Sequence, residues 1–115
     1  MSLKLTTRKV GDVMVIDASG KITLGEGSTA FRDRIKELVA AGDKKVLVNM
    51  GDVTYIDSSG IGELVSGFTT TTNSGGVLKL LNLGKRVQDL LQITKLYTVF
   101  ETHTDEAEAI RSFGA

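Results

Sequence analysis

The chain has 115 residues, with 14 basic and 14 acidic side chains, one histidine and no cysteine, proline or tryptophan. That length suits one compact domain, and 41% hydrophobic with 24% charged residues is the composition of a globular chain, not a disordered one. The missing cysteine excludes disulfides, thiolate metal sites and a thiol nucleophile, the single His103 leaves few transition-metal sites to build, and zero net charge gives no electrostatic case for direct nucleic-acid binding.

The charges are spread evenly: residues 1–57 carry 9 basic and 8 acidic groups, residues 58–115 carry 5 and 6. No apolar run approaches the roughly 20 residues of a membrane span, and Met1-Ser2-Leu3-Lys4-Leu5 lacks the apolar centre of a signal peptide. A soluble, cytoplasmic protein without membrane insertion is expected.

Leu3, Leu5 and Thr7 alternate with Lys4, Thr6 and Arg8, the period of a half-buried strand. A turn at Gly11-Asp12 leads to a second, more apolar strand over 13–18, making a hairpin that ends at Ser19-Gly20. Residues 20–28 read as a loop with a short extended piece at Lys21-Ile22-Thr23. Phe31, Ile35, Leu38 and Val39 then fall on one helical face, with Ser28 or Thr29 as cap and Gly42 as the stop. The run 46–50 predicts a buried parallel strand. Residues 51–60 predict a loop, and Ile61, Leu64, Val65 and Phe68 a second helix that fades through Thr69–Thr72. A strand over 77–82, a short helix over 85–92, an edge strand over 97–100 and a last helix capped by Thr104 complete the pattern, the last burying Ala107, Ile110 and Phe113. This order predicts an α/β fold: a mixed sheet whose later strands are parallel, packed with about four helices, in a single domain over 1–115. Ligands and partners of such sheets meet the carboxyl ends of the parallel strands.

The segment Asp57-Ser58-Ser59-Gly60-Ile61-Gly62 holds the most chemistry. Asp57 or a serine can cap the helix, and Ile56 with Ile61 can staple its start. Two adjacent hydroxyls exceed what capping needs, and Gly60 and Gly62 leave the turn bare enough for another backbone to approach. A phosphoryl group on Ser58 would add about −1.5 to −2 charge beside the N–H groups of a helix start, near Asp57 and Asp52. Other chemistries fit poorly. No Gly-x-Ser-x-Gly surrounds either serine, His103 has no evident orienting partner, and the glycine loops match neither a dinucleotide fingerprint nor a P-loop. Asp12, Asp17, Asp52 and Asp57 are scattered at strand ends, where aspartate forms turns, so neither a metal nor another cofactor is expected.

The stretch from Val46 to Met50, followed by Asp52-Val53-Thr54-Tyr55-Ile56-Asp57-Ser58-Ser59-Gly60-Ile61-Gly62, resembles the signature of the STAS domain. The resemblance extends to Ala18-Ser19-Gly20-Lys21-Ile22, to Gly75–Leu80 and to the Val87, Leu90, Leu91, Thr94, Leu96 pattern, which covers most of the chain. It implies a STAS-like fold and a protein-binding regulator, not an enzyme. In anti-sigma factor antagonists of this family, a serine at the position of Ser58 is phosphorylated by an anti-sigma factor with serine kinase activity, of the ATP-binding histidine-kinase-like type, and a PP2C-type phosphatase restores it. The resemblance makes Ser58 the phosphoacceptor, with Ser59 as cap or weaker acceptor. It makes Ile56, Asp57, Ser59, Gly60, Ile61 and Gly62 the surrounding partner-binding surface. Many such antagonists carry an aspartate where this chain has Thr23, so either Glu26 supplies that charge or the partner is a different one. The alternative implied by the family is a constitutive binding subunit of a transporter ATPase or other signalling complex, without phosphorylation.

Overall fold

The computed structural model describes residues 3–114, and every structural statement below concerns these. The chain runs β1 (Leu3–Val10), β2 (Val13–Ile22), α1 (Glu26–Ala40), β3 (Lys45–Ile56), α2 (Ser58–Asn73), β4 (Val77–Leu81), α3 (Lys85–Ile93), β5 (Thr102–His103) and α4 (Glu106–Ser112). The five strands form one sheet in the order β1-β2-β3-β4-β5; β1 is antiparallel to β2 and the other pairs are parallel. The expected mixed sheet with four helices is therefore what forms. Among the described residues, no helix is long and apolar enough to cross a membrane.

Alternation along the strands divides the interior. Ile16, Val48 and Leu80 face α1, α2 and α3 in the main core, while their neighbours Val15, Leu47 and Leu81 face α4 in a smaller cluster. Parallel strands covered on both faces read as continuous apolar runs, which is why 46–48 and 78–81 carry so few polar residues. Lys79, buried on the α4 face, is the exception.

Several expected boundaries move. The second strand does not stop at Ser19-Gly20, and the third does not stop at Met50. They run on side by side to Ile22 and Ile56, because β3 absorbs one extra residue between the Asp17 and Ser19 pairings and another between Gly20 and Lys21. Helix α1 begins earlier than Ser28 or Thr29. Gly25, at φ +97, turns the chain, and Ser28 lies buried in the first turn, its hydroxyl donating to the Thr23 carbonyl at 2.9 Å. The stop at Gly42 holds: its φ is +89, its N–H reaches the Val39 carbonyl, and Asp43 N–H reaches that of Leu38.

Residues 97–100 are not a strand. Lys95, at φ +62, turns the chain into a 3-10 turn over Leu96–Thr98, and Phe100 plugs the core edge-on to Phe68 with centroids 5.5 Å apart. The edge strand is Thr102–His103 instead. Asp105, not Thr104, caps α4 by accepting from Glu108 N–H at 2.9 Å, and Ala109 is buried in place of Ala107, with Ile110 and Phe113 half-buried beside it.

Candidate functional site

Ser58 is the first residue of α2, at the carboxyl end of β3, and is exposed. The residue before it organises the region. Asp57 has extended backbone and its Oδ1 accepts from Gly60 N–H at 2.9 Å, a regular N-cap. Its Oδ2 accepts from Leu24 N–H at 3.2 Å, so the same carboxylate ties the β2–α1 loop to the start of α2. The Gly60 N–H, aided by those of Leu24 and Ser59, holds the Asp57 carboxyl below the usual carboxylate range.

Packing beneath this cap is tight. A Cβ on Gly60 would lie 2.2 Å from the Ile22 carbonyl oxygen and 2.6 Å from Ile56 Cγ1. A Cβ on Gly27 would lie 2.8 Å from the Lys21 carbonyl oxygen. Both helix starts therefore sit directly on the end of β2, possible only with glycine at these contacts. On the outside, Arg32 of α1 and Glu63 of α2 pair at 2.9 Å and clamp the two helices.

Asp57, Ser58, Ser59, Gly62, Thr23 and Glu26 lie together around the start of α2 and the β2–α1 loop with some or all of their surface exposed. Ile56, Gly60 and Ile61 do not belong to that surface. Ile56 and Ile61 are core residues at the two staple positions, and Gly60 is covered by the chain's own Ile22. They shape the surface from beneath. Gly62 is the bare position, where an added Cβ would meet nothing within 4 Å.

The Asp57 carboxylate already takes the Gly60 N–H at this helix start, so a phosphoryl group on the exposed Ser58 would stand beside a carboxylate. Leu24, which the sequence pattern passed over, is 79% exposed at the tip of the tied loop; a leucine beside Gly25 inside a glycine-rich turn was the available signal.

The other candidates have structural partners. Asp12 pairs with Lys45, and Asp17 with Arg8 and Asn49. His103 lies on β5 with Nε2 2.7 Å from Glu101 Oε2, on a different element from Ser58. Among the described residues, no three histidine, aspartate or glutamate side chains cluster so as to hold a metal ion.

Residues 4–109 match the model of the STAS domain family. The chain is 27% identical over 101 residues to the anti-sigma-B factor antagonist of Bacillus subtilis, covering 88% of this chain and 91% of that protein. An anti-sigma factor antagonist from Mycobacterium paratuberculosis superposes with a TM-score of 0.86 at 17% identity, over 98% of this chain and 95% of that one. The Bacillus cell fate determinant SpoIIAA in its phosphorylated form gives a TM-score of 0.74 at 21% identity, over 95% of this chain and 98% of that one. The same antagonist in its unphosphorylated form gives 0.71 at 20% identity, over 95% and 96%. With the family match spanning nearly its whole length, this chain belongs to the STAS domain family.

Proposed function

We propose that this protein is an anti-sigma factor antagonist whose docking to an anti-sigma factor is switched by phosphorylation of Ser58. The observation that carries the reading is an exposed serine hydroxyl on a helix start that cannot easily move: Asp57 caps it and Gly60 packs it onto Ile22. The relatives named as antagonists, and the SpoIIAA structures in phosphorylated and unphosphorylated forms, support the same reading. The partner in this scheme is an anti-sigma factor with serine kinase activity, of the ATP-binding histidine-kinase-like type. A PP2C-type phosphatase reverses the modification. The whole exchange runs in the cytoplasm, on a single domain spanning residues 1–115, and the protein itself catalyses nothing.

The switch acts by contact. A phosphoryl group adds about −1.5 to −2 charge at neutral pH. It arrives next to the Asp57 carboxylate, which already accepts from the Gly60 N–H, so two negative charges stand side by side at the helix start. A partner seated on Thr23, Leu24, Glu26, Asp57, Ser59 and Gly62 then meets added bulk and repulsion on an unchanged scaffold. Ser59 is the weaker alternative acceptor.

The test is labelling by the cognate kinase with ATP. Wild type takes up phosphate on Ser58, whereas Ser58→Ala stays unlabelled and still binds. Ser58→Asp weakens binding by more than about tenfold, or ~1.4 kcal/mol. Labelling of Ser58→Ala at the wild-type level sinks the assignment.

A further inference from the structure

The helices that follow β4 and β5 leave the sheet on opposite faces. Chain leaving β4 enters α3, whose Val87 and Leu91 join the main core, whereas chain leaving β5 enters α4, whose Ala109 joins the smaller cluster behind the sheet. Adjacent parallel strands with connections diverging in this way open a crevice outside their carboxyl ends, the usual ligand position in open α/β sheets. The crevice exists: a cavity of about 270 Å³ lies between α3 and β5, at the opposite end of the sheet order from the β1 edge. None of the residues around Ser58 lines it.

Its lining specifies a kind of ligand. Leu83 and Leu91 give an apolar floor, and Tyr97, half in solvent, gives an aromatic wall. Gln88 and Gln92 project amides from α3, facing Thr102 and Thr104 from the β5 side. Gln88 Nε2 is committed to the Leu83 carbonyl at 3.0 Å, which leaves its Oε1 as an acceptor, while the threonine hydroxyls both donate and accept. The lining contains no lysine, arginine, aspartate or glutamate. Its one ionisable group besides the Tyr97 phenol, His103, has Nε2 2.7 Å from Glu101 Oε2, so any charge on the imidazole is met by the protein's own carboxylate. An anionic ligand would lose its hydration here without gaining a free cation. The volume lies just below the usual range for ligand pockets, about 300–1,000 Å³, and so suits a small molecule.

We infer that this crevice is a second binding site, separate from the Ser58 surface, for a small uncharged planar ring compound with an amide or lactam edge. The ring lies against Tyr97 over Leu83 and Leu91, and its polar edge meets the glutamine amides and threonine hydroxyls.

The test is a titration of the ¹⁵N-labelled full chain followed by ¹H–¹⁵N correlation spectra, with three probes: nicotinamide, nicotinate and cyclohexanecarboxamide. Nicotinamide at millimolar concentration is expected to shift the amides of Leu83, Gln92, Thr102, His103 and Thr104 saturably, leaving Ser58 to Gly62 in place. Nicotinate, with the same ring and a charge, and cyclohexanecarboxamide, with the same amide and no planar ring, each bind at least about tenfold more weakly. Gln92→Trp fills the crevice from an exposed position and abolishes the shifts; Tyr97→Ala, also at an exposed position, weakens them. Absence of nicotinamide shifts at these residues overturns the site. Equal binding of either control probe overturns the ligand class. Shifts that survive both variants in spectra of folded protein place the ligand elsewhere.

Discussion

The two faces of the sheet are built by different physics. The front, under α1, α2 and α3, is a core of sixteen buried apolar side chains with little room for adjustment. The back has five, and α4 is a helix of only seven residues. What the back lacks in area it replaces with polar bonds. Arg8 bridges Asp17 and Glu106, and Asn49 extends the chain from Asp17 to Asn82. Lys79 Nζ meets the Ser112 carbonyl and hydroxyl and the Glu101 carboxylate, 4.7 Å from the centre of the Phe113 ring. The difference teaches where rigidity is placed. Ser58 stands on the face held mainly by packing, where the Asp57 cap is a pH-sensitive contact, whereas the other face depends on polar bonds that respond to both pH and salt.

The largest expected effect lies at the front. Leu64, fully buried in α2, leaves a cavity when truncated, and Leu64→Ala should cost about 3 kcal/mol of unfolding free energy in urea titrations. A loss below about 1 kcal/mol would mean that the front is no better packed than the back.

At the back, Lys79→Ala should cost about 1–2 kcal/mol, because it leaves the Ser112 carbonyl without its donor, removes the ammonium from over the Phe113 ring and empties the space of a buried side chain. Lys79→Met should recover much of that loss, since an apolar side chain of similar length keeps the packing and removes a buried charge. If Met is as damaging as Ala in thermal unfolding, the ammonium bonds and not the packed stem hold α4.

Acid should separate the faces without mutation. Arg8 holds the carboxyls of Asp17 and Glu106 below their usual range, and Lys79, then His103, do the same for Glu101. Groups depressed in the folded state contribute stability that is full above the unfolded carboxylate pKa, about 4, and is lost as pH falls through the lower folded values. These pairs are partly exposed, so the loss is modest and shrinks with added salt. Below about pH 4, the Ala109 and Ile110 amides should lose their folded NMR positions before those of Leu64 and Phe68. Simultaneous loss would show that α4 is not a separately held element. Asp57 is depressed in the same sense, so the first turn of α2 should loosen with α4 while the rest of that helix stays.

The contrast between the faces also explains what the sequence could reveal. Helix α1 and the front of α2 are legible because Phe31, Ile35 and Leu38, then Ile61 and Leu64, obey one period against one large core. Asp57 as cap and Ile56–Ile61 as staple are local features, and the Asp-Ser-Ser-Gly stretch is short and contiguous. Three things are hidden because they depend on distant partners. The extra residues of β3 are visible only against β2, so 51–56 resembles a loop until it is paired. Tyr97, Val99 and Phe100 have the composition of a strand, but Phe100 is needed as a plug against Phe68. Gly60 looks like a bare turn until the Ile22 carbonyl is found above it.

Gly62 provides the smallest effect and the finest test of the docking surface. It lies two residues beyond Gly60 in the same helix, yet a Cβ there meets nothing within 4 Å. Alanine at an exposed helical site gains up to about 1 kcal/mol over glycine, so Gly62→Ala should stabilise the fold slightly in urea or thermal titrations. The same methyl should weaken partner binding if another backbone approaches this spot. The two readouts oppose each other, which separates the explanations. A variant more stable and weaker in binding assigns Gly62 to the interface, since no loss of folded protein can account for the weaker complex. A variant more stable and equal in binding moves the contact toward Leu24 and Glu26. A destabilised variant would contradict the open space above Gly62 and, with it, the distinction drawn between the two glycines.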